Sequence, residues 1–184
     1  MGGGAWAATG AAALLAIAIA WIYNRLVAER NLARQGFADI DVQLKRRADL
    51  VPQLVEAVRG YAAHEKALLT SVAELRSAAI AAGPAIAEGR FGTERELGAK
   101  LKQLVLLQEA YPALKADANF RDLAAKLVDT EDQLQYARRF YNGAVKQYRN
   151  RLESFPEVLV AGAFGFRPLP FFETDDRQAV RVLL

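Results

Sequence analysis

The sequence contains no cysteine and a single histidine, His64, among its 184 residues. Without cysteine the chain has no disulfide framework, no thiolate zinc site, no iron–sulfur cluster and no cysteine nucleophile. One histidine excludes a two-histidine metal site within a single chain. A net charge of +3, from 24 Lys and Arg against 21 Asp and Glu, is too small to indicate nucleic-acid binding. These absences remove many enzyme classes at the outset.

Charge is missing from the N-terminal region, where the first charged side chain is Arg25. The apolar stretch 5–23 would be about 28 Å long as a helix, close to the roughly 30 Å thickness of a bilayer's hydrocarbon core. Aromatic residues stand at both ends, where a membrane protein places its interfacial belts. We therefore predict a transmembrane anchor over residues 1–24, held by Trp6, Leu14, Leu15, Ile17, Ile19, Trp21, Ile22 and Tyr23.

Three other interpretations of this stretch stay open. Ala18 and Ala20 form the Ala-x-Ala pattern of a cleaved signal peptide, although no charged side chain precedes the apolar run. The second alternative, an N-terminal lipid anchor, is poorly supported, because Trp6 occupies the position at which a myristoylation motif has Ser or Thr. The alanine-rich run also suits a buried helix of a soluble protein. Small residues recur every four positions along the run, at Gly4, Ala8, Ala12, Ala16 and Ala20. This ridge either favours close helix packing in a membrane or arises by chance in a helix rich in alanine.

The remainder of the chain has helical periodicity. We predict an all-α fold in which the transmembrane helix continues into an antiparallel four-helix bundle over residues 25–155, with long coiled-coil-like helices. An irregular, aromatic-rich tail follows at 156–184. The first helix is expected to end near Arg47, and Asp49 is expected to cap the next helix, with Pro52 in its first turn. A connector is expected over 82–92, followed by a Thr93–Glu96 capping box at the start of another helix. A break is expected at Tyr111–Pro112, and Asn119 is expected to cap the longest segment.

Basic residues follow the apolar stretch and recur on the last long helix. The positive-inside rule then places the short N-terminus outside and the bundle in the cytoplasm. An upright antiparallel bundle returns its fourth helix to the membrane, where each basic residue contributes about 1 kcal/mol towards anionic lipid. A solvated helix face or compensation of the helix dipole is an equal alternative. The predicted lipid contacts are Arg25, Arg30, Arg34, Arg138, Arg139, Lys146, Arg149 and Arg151.

The tail combines phenylalanines with Pro and Gly residues that break any long helix. Such an apolar segment is not expected to stay exposed to water. It is expected to pack on its own bundle, on a neighbouring subunit or on the bilayer surface. The predicted tail or oligomer interface consists of Phe155, Phe164, Phe166, Phe171 and Phe172.

Catalytic patterns are thin. His64 has no second histidine, and Asp39 and Asp41, two residues apart on a helix, point to different faces. No phosphate loop, dinucleotide fingerprint or Gly-x-Ser-x-Gly motif occurs. We predict no catalytic site, no metal, no cofactor and no nucleic-acid partner.

Several long motifs occur in a characteristic order. They are IYNRLV at 22–27, DIDVQLKRRADLVPQLV at 39–55, GYAAHE at 60–65, EAYPALK at 109–115, RFYNGAV at 139–145, and then Phe155-Pro156 and Gly165-Phe166. In these motifs the chain resembles the LemA family of bacterial membrane proteins. The resemblance implies an inner-membrane anchor with a short outer end, a cytoplasmic helical bundle and no defined reaction. Ala48 departs from the pattern, because relatives often have His there.

Two functional hypotheses follow. In the first, copies of the chain self-assemble and scaffold, coat or curve the inner membrane, so the partners are the chain itself and an anionic bilayer. In the second, the tethered bundle is an adaptor for another membrane protein, such as a stress protease. Some LemA-family relatives belong to magnetosome membranes, and others are encoded beside membrane stress proteases. Neither hypothesis requires a catalytic residue.

Overall fold

The computed structural model describes residues 3–62, 64–83, 86 and 88–172. Its described part contains helices and connectors and no strand, which confirms the predicted all-α class with a long apolar N-terminal helix. The helices are α1 (Gly3–Arg59), α2 (Lys66–Ala81), α3 (Glu88–Leu106), α4 (Pro112–Ala116), α5 (Ala118–Glu153) and α6 (Glu157–Ala163). A 3-10 turn, Leu107–Glu109, lies between α3 and α4.

Helix α1 is a single helix of 57 residues, so the predicted end near Arg47 and new cap at Asp49 are wrong. A proline inside a helix normally frees the carbonyl four residues earlier, which for Pro52 is that of Ala48. Arg76 on α2 donates its Nε–H to this carbonyl at 2.8 Å. The break that Pro52 would cause is therefore compensated by a side chain from another helix.

Two further boundaries differ from the sequence prediction. Helix α3 already begins at Glu88, and Thr93 lies inside it, where its hydroxyl donates to the Gly89 carbonyl at 3.3 Å instead of forming a cap. Asp117, not Asn119, caps α5, since its Oδ1 accepts the Phe120 N–H at 2.7 Å. That hydrogen bond holds the pKa of Asp117 below its usual range.

The framework of the fold is an antiparallel hairpin of α1 and α5. Arg47 pairs with Glu131, and Glu29 nearer the N-terminus pairs with Arg151, so the two helices run in opposite directions. Gly36 permits their close approach, because a Cβ there would lie 2.9 Å from a Phe140 ring carbon. Helices α2 and α3 form a shorter hairpin that covers mainly the end of this framework opposite the apolar N-terminus, and only the start of α3 reaches further.

Three apolar clusters succeed one another along the framework. The distal core draws on α1 to α5, with buried residues that include Val51, Leu54, Val58, Val72, Leu101, Leu104, Leu114, Phe120 and Leu127. The middle core draws on α1, α5, the start of α3 and the tail, with Ala33, Phe37, Ile40, Leu44, Phe91, Leu134, Tyr141, Ala144, Val145 and Phe172. The basal cluster joins α1 to α6 through Ile22, Leu26, Val160 and Ala161. The four longer helices α1, α2, α3 and α5 pack together only around the distal core, where the short α4 joins them.

A buried ionic layer separates the distal and middle cores. The Arg47 guanidinium is fully buried and donates to Glu94 Oε2 at 2.5 Å, to the Glu94 carbonyl at 2.8 Å and to Glu131 Oε1 at 2.9 Å. Arg138 is buried beside it, and burial, together with the charge of Arg47, lowers the pKa of Arg138 to about 10. Arg90 forms a further ion pair with Asp41.

Candidate membrane-facing site

The N-terminal part of α1 projects from the bundle without cover from the rest of the chain. Among the described residues α1 is long and apolar enough to cross a membrane, by length and composition. The side chains predicted to hold the anchor are exposed, apart from half-buried Ile19 and buried Ile22, which α6 contacts. An exposed apolar helix of this length does not suit the core of this chain, which argues against the buried-helix alternative.

The ridge of small residues lies on this exposed segment. Ala8, Ala12, Ala16 and Ala20 have no cover within the chain. Gly4 belongs to α1, but its surroundings lie outside the described part. The four described members of the ridge are therefore exposed, and their packing against another helix stays a prediction.

At the base of the bundle, α6 and the tail pack around the point where α1 leaves the apolar stretch. The Tyr23 ring lies edge-on against Phe164 and Phe166, with centroids 5.0 and 5.5 Å apart. Arg30 covers the Phe166 ring at 5.0 Å, and Arg25 covers Trp21 at 5.2 Å. Aromatic rings and cations thus alternate along α1 between Trp21 and Arg30.

The predicted lipid-contacting cations divide into two groups. The first group lies near the base and consists of Arg25, Arg30, Arg34, Arg149 and Arg151. Lys146 belongs to it as well and lies on α5 one to two turns further from the base. Some of these have partners inside the protein, because Arg151 pairs with Glu29 at 2.5 Å and with Glu157 at 3.1 Å. Arg149 donates to the Leu169 carbonyl and covers the Phe171 ring.

Arg138 and Arg139 form the second group, which lies further from the base. The register of Gly36 with Tyr141 places both about 20 Å along α1 beyond Asn24. Arg138 is buried and covers the Phe172 ring at 4.5 Å, and Arg139 covers Tyr136 at 4.6 Å. We therefore do not retain these two arginines as lipid contacts, because an antiparallel partner returns to the membrane only at its last two turns.

The tail phenylalanines are also divided. Phe172 is buried in the middle core and Phe171 is half-buried beside it, so this part of the tail packs on its own bundle. Hydrogen bonds from α5 hold the tail backbone: Tyr141 donates to the Pro170 carbonyl at 2.7 Å, and Asn142 bonds both the N–H and the carbonyl of Phe172. Phe155 and Phe164 remain exposed. The part of the tail beyond residue 172 lies outside the described residues.

Two acidic side chains that line one cleft are engaged in ion pairs. Asp41 pairs with Arg90, and Glu94 pairs with Arg47, in a cleft of about 400 Å³ that also contains Asp49. His64 is exposed. Over the described part of the chain, no group of three or more His, Asp or Glu residues is arranged to hold a metal ion.

A candidate membrane-spanning helix that continues into a helical bundle defines the class: a membrane-associated helical-bundle protein. The chain belongs to the LemA family, whose model matches residues 36–183. The chain is also similar to Magnetosome protein MamQ 1 and MamQ 2 of Paramagnetospirillum magneticum, each 22% identical over 82% of this chain. MamQ of Magnetospirillum gryphiswaldense is 21% identical over the same share. The chain spans about two thirds, 64%, of the length of these relatives.

Sequence reasoning missed two features of this region. Helix α6 was included in an irregular tail, although Glu157 after Pro156 was the available signal for a short helix start. The ionic layer was missed because Arg47 stands in a Lys-Arg-Arg run that suits a helix end. Gly98 is a partial signal for it, since a Cβ there would lie 3.0 Å from the Arg47 guanidinium.

Proposed function

We propose that the chain is a membrane scaffold, in which many copies associate within the bilayer and hold their bundles in a fixed arrangement on its surface. The observation that supports this most directly is the continuity of α1, which is one helix of 57 residues from the apolar stretch to the distal core. Its length of about 85 Å spans both a bilayer and the bundle.

Continuity has a mechanical consequence. A flexible linker would uncouple the bundle from the membrane, whereas α1 fixes the orientation of the bundle relative to its own span. Contacts between neighbouring spans then fix the angle between neighbouring bundles. A fixed angle repeated by a head-to-tail contact generates a ring or a filament. Such an assembly imposes its curvature on the bilayer that holds it.

The proposed contacts within the membrane are those of the small-residue ridge. Ala12 and Ala16 are exposed near the middle of the apolar stretch, where small side chains let two helix backbones approach closely. Arg25, Arg30 and Arg34 follow the stretch and favour an orientation with the N-terminus outside and the bundle in the cytoplasm of a bacterial cell. Anionic lipid is the proposed counter-charge on that side.

The similar proteins are named magnetosome proteins. We propose that this chain is likewise located on a membrane, without a magnetosome-specific role. We propose no catalytic activity. The adaptor hypothesis differs in one measurable respect, since it requires a second protein in stoichiometric amount. Crosslinking in native membranes separates the two hypotheses, because the scaffold yields ladders of this chain alone.

The test uses the full chain reconstituted in liposomes, with particle mass measured in detergent and vesicles imaged by cryo-electron microscopy. We expect multimers and deformed vesicles for the wild type. Replacing Ala12 and Ala16 by Leu is expected to lower the mass, since bulky side chains separate the spans. The matched control replaces Ala7 and Ala18, which lie on the face of the helix away from Ala12 and Ala16, by Leu and is expected to leave the mass unchanged. Monomers on undeformed vesicles for the wild type would contradict the scaffold.

A further inference from the structure

We infer that residues 154–166, which we call the foot, form a second membrane contact, with the outer face of α6 lying in the bilayer leaflet from which α1 emerges. The partner is the lipid bilayer itself. The inference rests on the proposed membrane anchor and adds a second site of insertion to it.

The position of the foot is fixed by its contacts with α1. Val160 and Ala161 are buried against Ile22 and Leu26, and Ile19 packs against the same cluster. Ile19 and Ile22 belong to the apolar stretch that crosses the membrane. Helix α6 therefore lies at the depth of the last turn of the span, and it cannot leave that depth while these contacts persist.

The outer face of the foot is apolar and exposed. Phe155 is 80% exposed, Leu159 is 64% exposed and Phe164 is 57% exposed, with Val158 beside them. In water such a patch is unfavourable, whereas the boundary between head groups and acyl chains accommodates it. The foot and the last turn of the apolar stretch of α1 lie at the same depth, and both expose apolar side chains. Both therefore require contact with lipid.

Charge in the foot is directed inward. Glu157 is its only charged residue, and its Oε1 lies 3.1 Å from the Arg151 guanidinium, with both side chains largely buried. The carboxylate is therefore kept away from the face that would meet lipid. A carboxylate on that face would oppose insertion, and its pairing with Arg151 removes the obstacle.

Cations surround the foot on the side of the bundle. Arg25 covers Trp21, Arg30 covers Phe166, and Arg167 is exposed directly after the foot. Their positions suit the phosphate level of a leaflet, with the apolar stems buried below and the charged ends above. This charge complementarity favours an anionic bilayer over a second copy of the chain as the occupant of the apolar face.

The experiment exploits the absence of cysteine, since any introduced cysteine is a unique labelling site. Leu159→Cys reports on the foot, Ile17→Cys on the span, and Leu106→Cys on the distal end of the bundle, where a leucine is also exposed. Each full-length variant carries a nitrobenzoxadiazole label and is reconstituted in phosphatidylcholine vesicles containing phosphatidylglycerol. Quenching by phosphatidylcholine with a doxyl group on its acyl chain is the measurement.

We expect the label at Leu159→Cys to lose at least half the fraction of fluorescence that is lost at Ile17→Cys, and the label at Leu106→Cys to lose almost none. Quenching at Ile17→Cys without quenching at Leu159→Cys would overturn the foot and leave the anchor intact. No quenching at either site would overturn the anchor and the foot together. Disulfide crosslinking of Leu159→Cys between copies, without lipid quenching, would assign the face to a second copy and also overturn the inference.

Discussion

The distal core and the middle core of the bundle differ in their residue types and in the elements that supply them. The distal core consists mainly of Leu, Val and Ala side chains supplied by helices α1 to α5. The middle core is richer in aromatic residues, receives nothing from α2, and is completed by the tail through Phe172 and its neighbours. The α2–α3 hairpin reaches the middle core only through Phe91 at the start of α3, so the tail takes the place of a further helix there.

This replacement explains the polar residues of α5. A tail without regular structure has backbone groups that no helix or sheet pairs, and buried groups of that kind need partners. Tyr141 and Asn142, followed two turns later by Tyr148 and Arg149, supply hydrogen bonds to the tail backbone. The distal core contains no such arrangement among its buried residues, because helices satisfy their own backbone. The difference shows that a core closed by an extended segment needs polar side chains nearby to bond the backbone of that segment.

The largest expected effect comes from the boundary between the two cores. Arg47→Met leaves the Glu94 carboxylate buried without its cation, and breaking a buried ion pair in this way typically destabilises a protein by about 3–5 kcal/mol. Urea unfolding of the full chain in detergent micelles, followed by circular dichroism, measures the change. The double variant Arg47→Met with Glu94→Gln is the control and is expected to recover most of the loss, because the buried Glu94 side chain is then uncharged. A small effect of the single variant would indicate that water reaches the layer.

An intermediate effect is expected from removing one large side chain on each side of that boundary. Phe172→Ala and Leu101→Ala are each expected to lower the free energy of unfolding by about 3 kcal/mol, since both side chains are fully buried. The location of the damage differs. Phe172→Ala is expected to speed cleavage of the tail by chymotrypsin, whereas Leu101→Ala is expected to speed hydrogen exchange in α2 and α3.

Matched measurements on the two variants decide whether the cores are separate units. If cleavage of the tail and exchange in α2 and α3 rise together in both variants, the bundle unfolds as one unit and the distinction between the cores fails. If each variant affects its own side, the ionic layer divides two regions of local stability.

The sequence predicts those parts of this molecule that depend on local pattern. Helical periodicity and the uncharged apolar stretch are properties of neighbouring residues, and both lead to the observed helices and to the candidate span. Boundaries that depend on distant partners were predicted wrongly. Asp49 and Pro52 together resemble a helix start, and only Arg76, which lies on another helix, supplies the hydrogen bond that lets α1 continue.

The candidate site shows the same limit. The predicted anchor residues follow from the length of the apolar stretch and its flanking aromatic residues. The assignment of basic residues to lipid also requires their depth, which the sequence does not show. Arg138 is buried because a tail more than thirty residues away places Phe172 over it. Charge counting along α5 cannot detect that contact. Likewise, a grouping of the tail phenylalanines by residue type cannot show that Phe172 is buried against Phe91 and Arg138 while Phe155 is exposed.

The smallest expected effect concerns one hydrogen bond of the tail and has a pH signature that the distal core lacks among its buried residues. Tyr141→Phe removes the bond to the Pro170 carbonyl and is expected to cost about 1 kcal/mol at neutral pH. Burial raises the pKa of Tyr141 from 10.0 to about 12, so the unfolded chain ionises first. The stabilisation is complete below pH 10 and is lost as the pH rises towards 12.

Melting temperatures of wild type and Tyr141→Phe in detergent, compared between neutral pH and pH 11, test this expectation. The wild type is expected to lose more stability than the variant over that interval, so the difference between the two narrows or reverses. Tyr136→Phe is the control, because that tyrosine lies on the same helix but is exposed to solvent. A constant difference across the interval would mean that the Tyr141 hydroxyl ionises as readily in the folded protein as in the unfolded chain. The Tyr141 hydroxyl would then add no pH dependence to the closure of the middle core, which Phe172 and the hydrogen bonds from Asn142, Tyr148 and Arg149 would maintain.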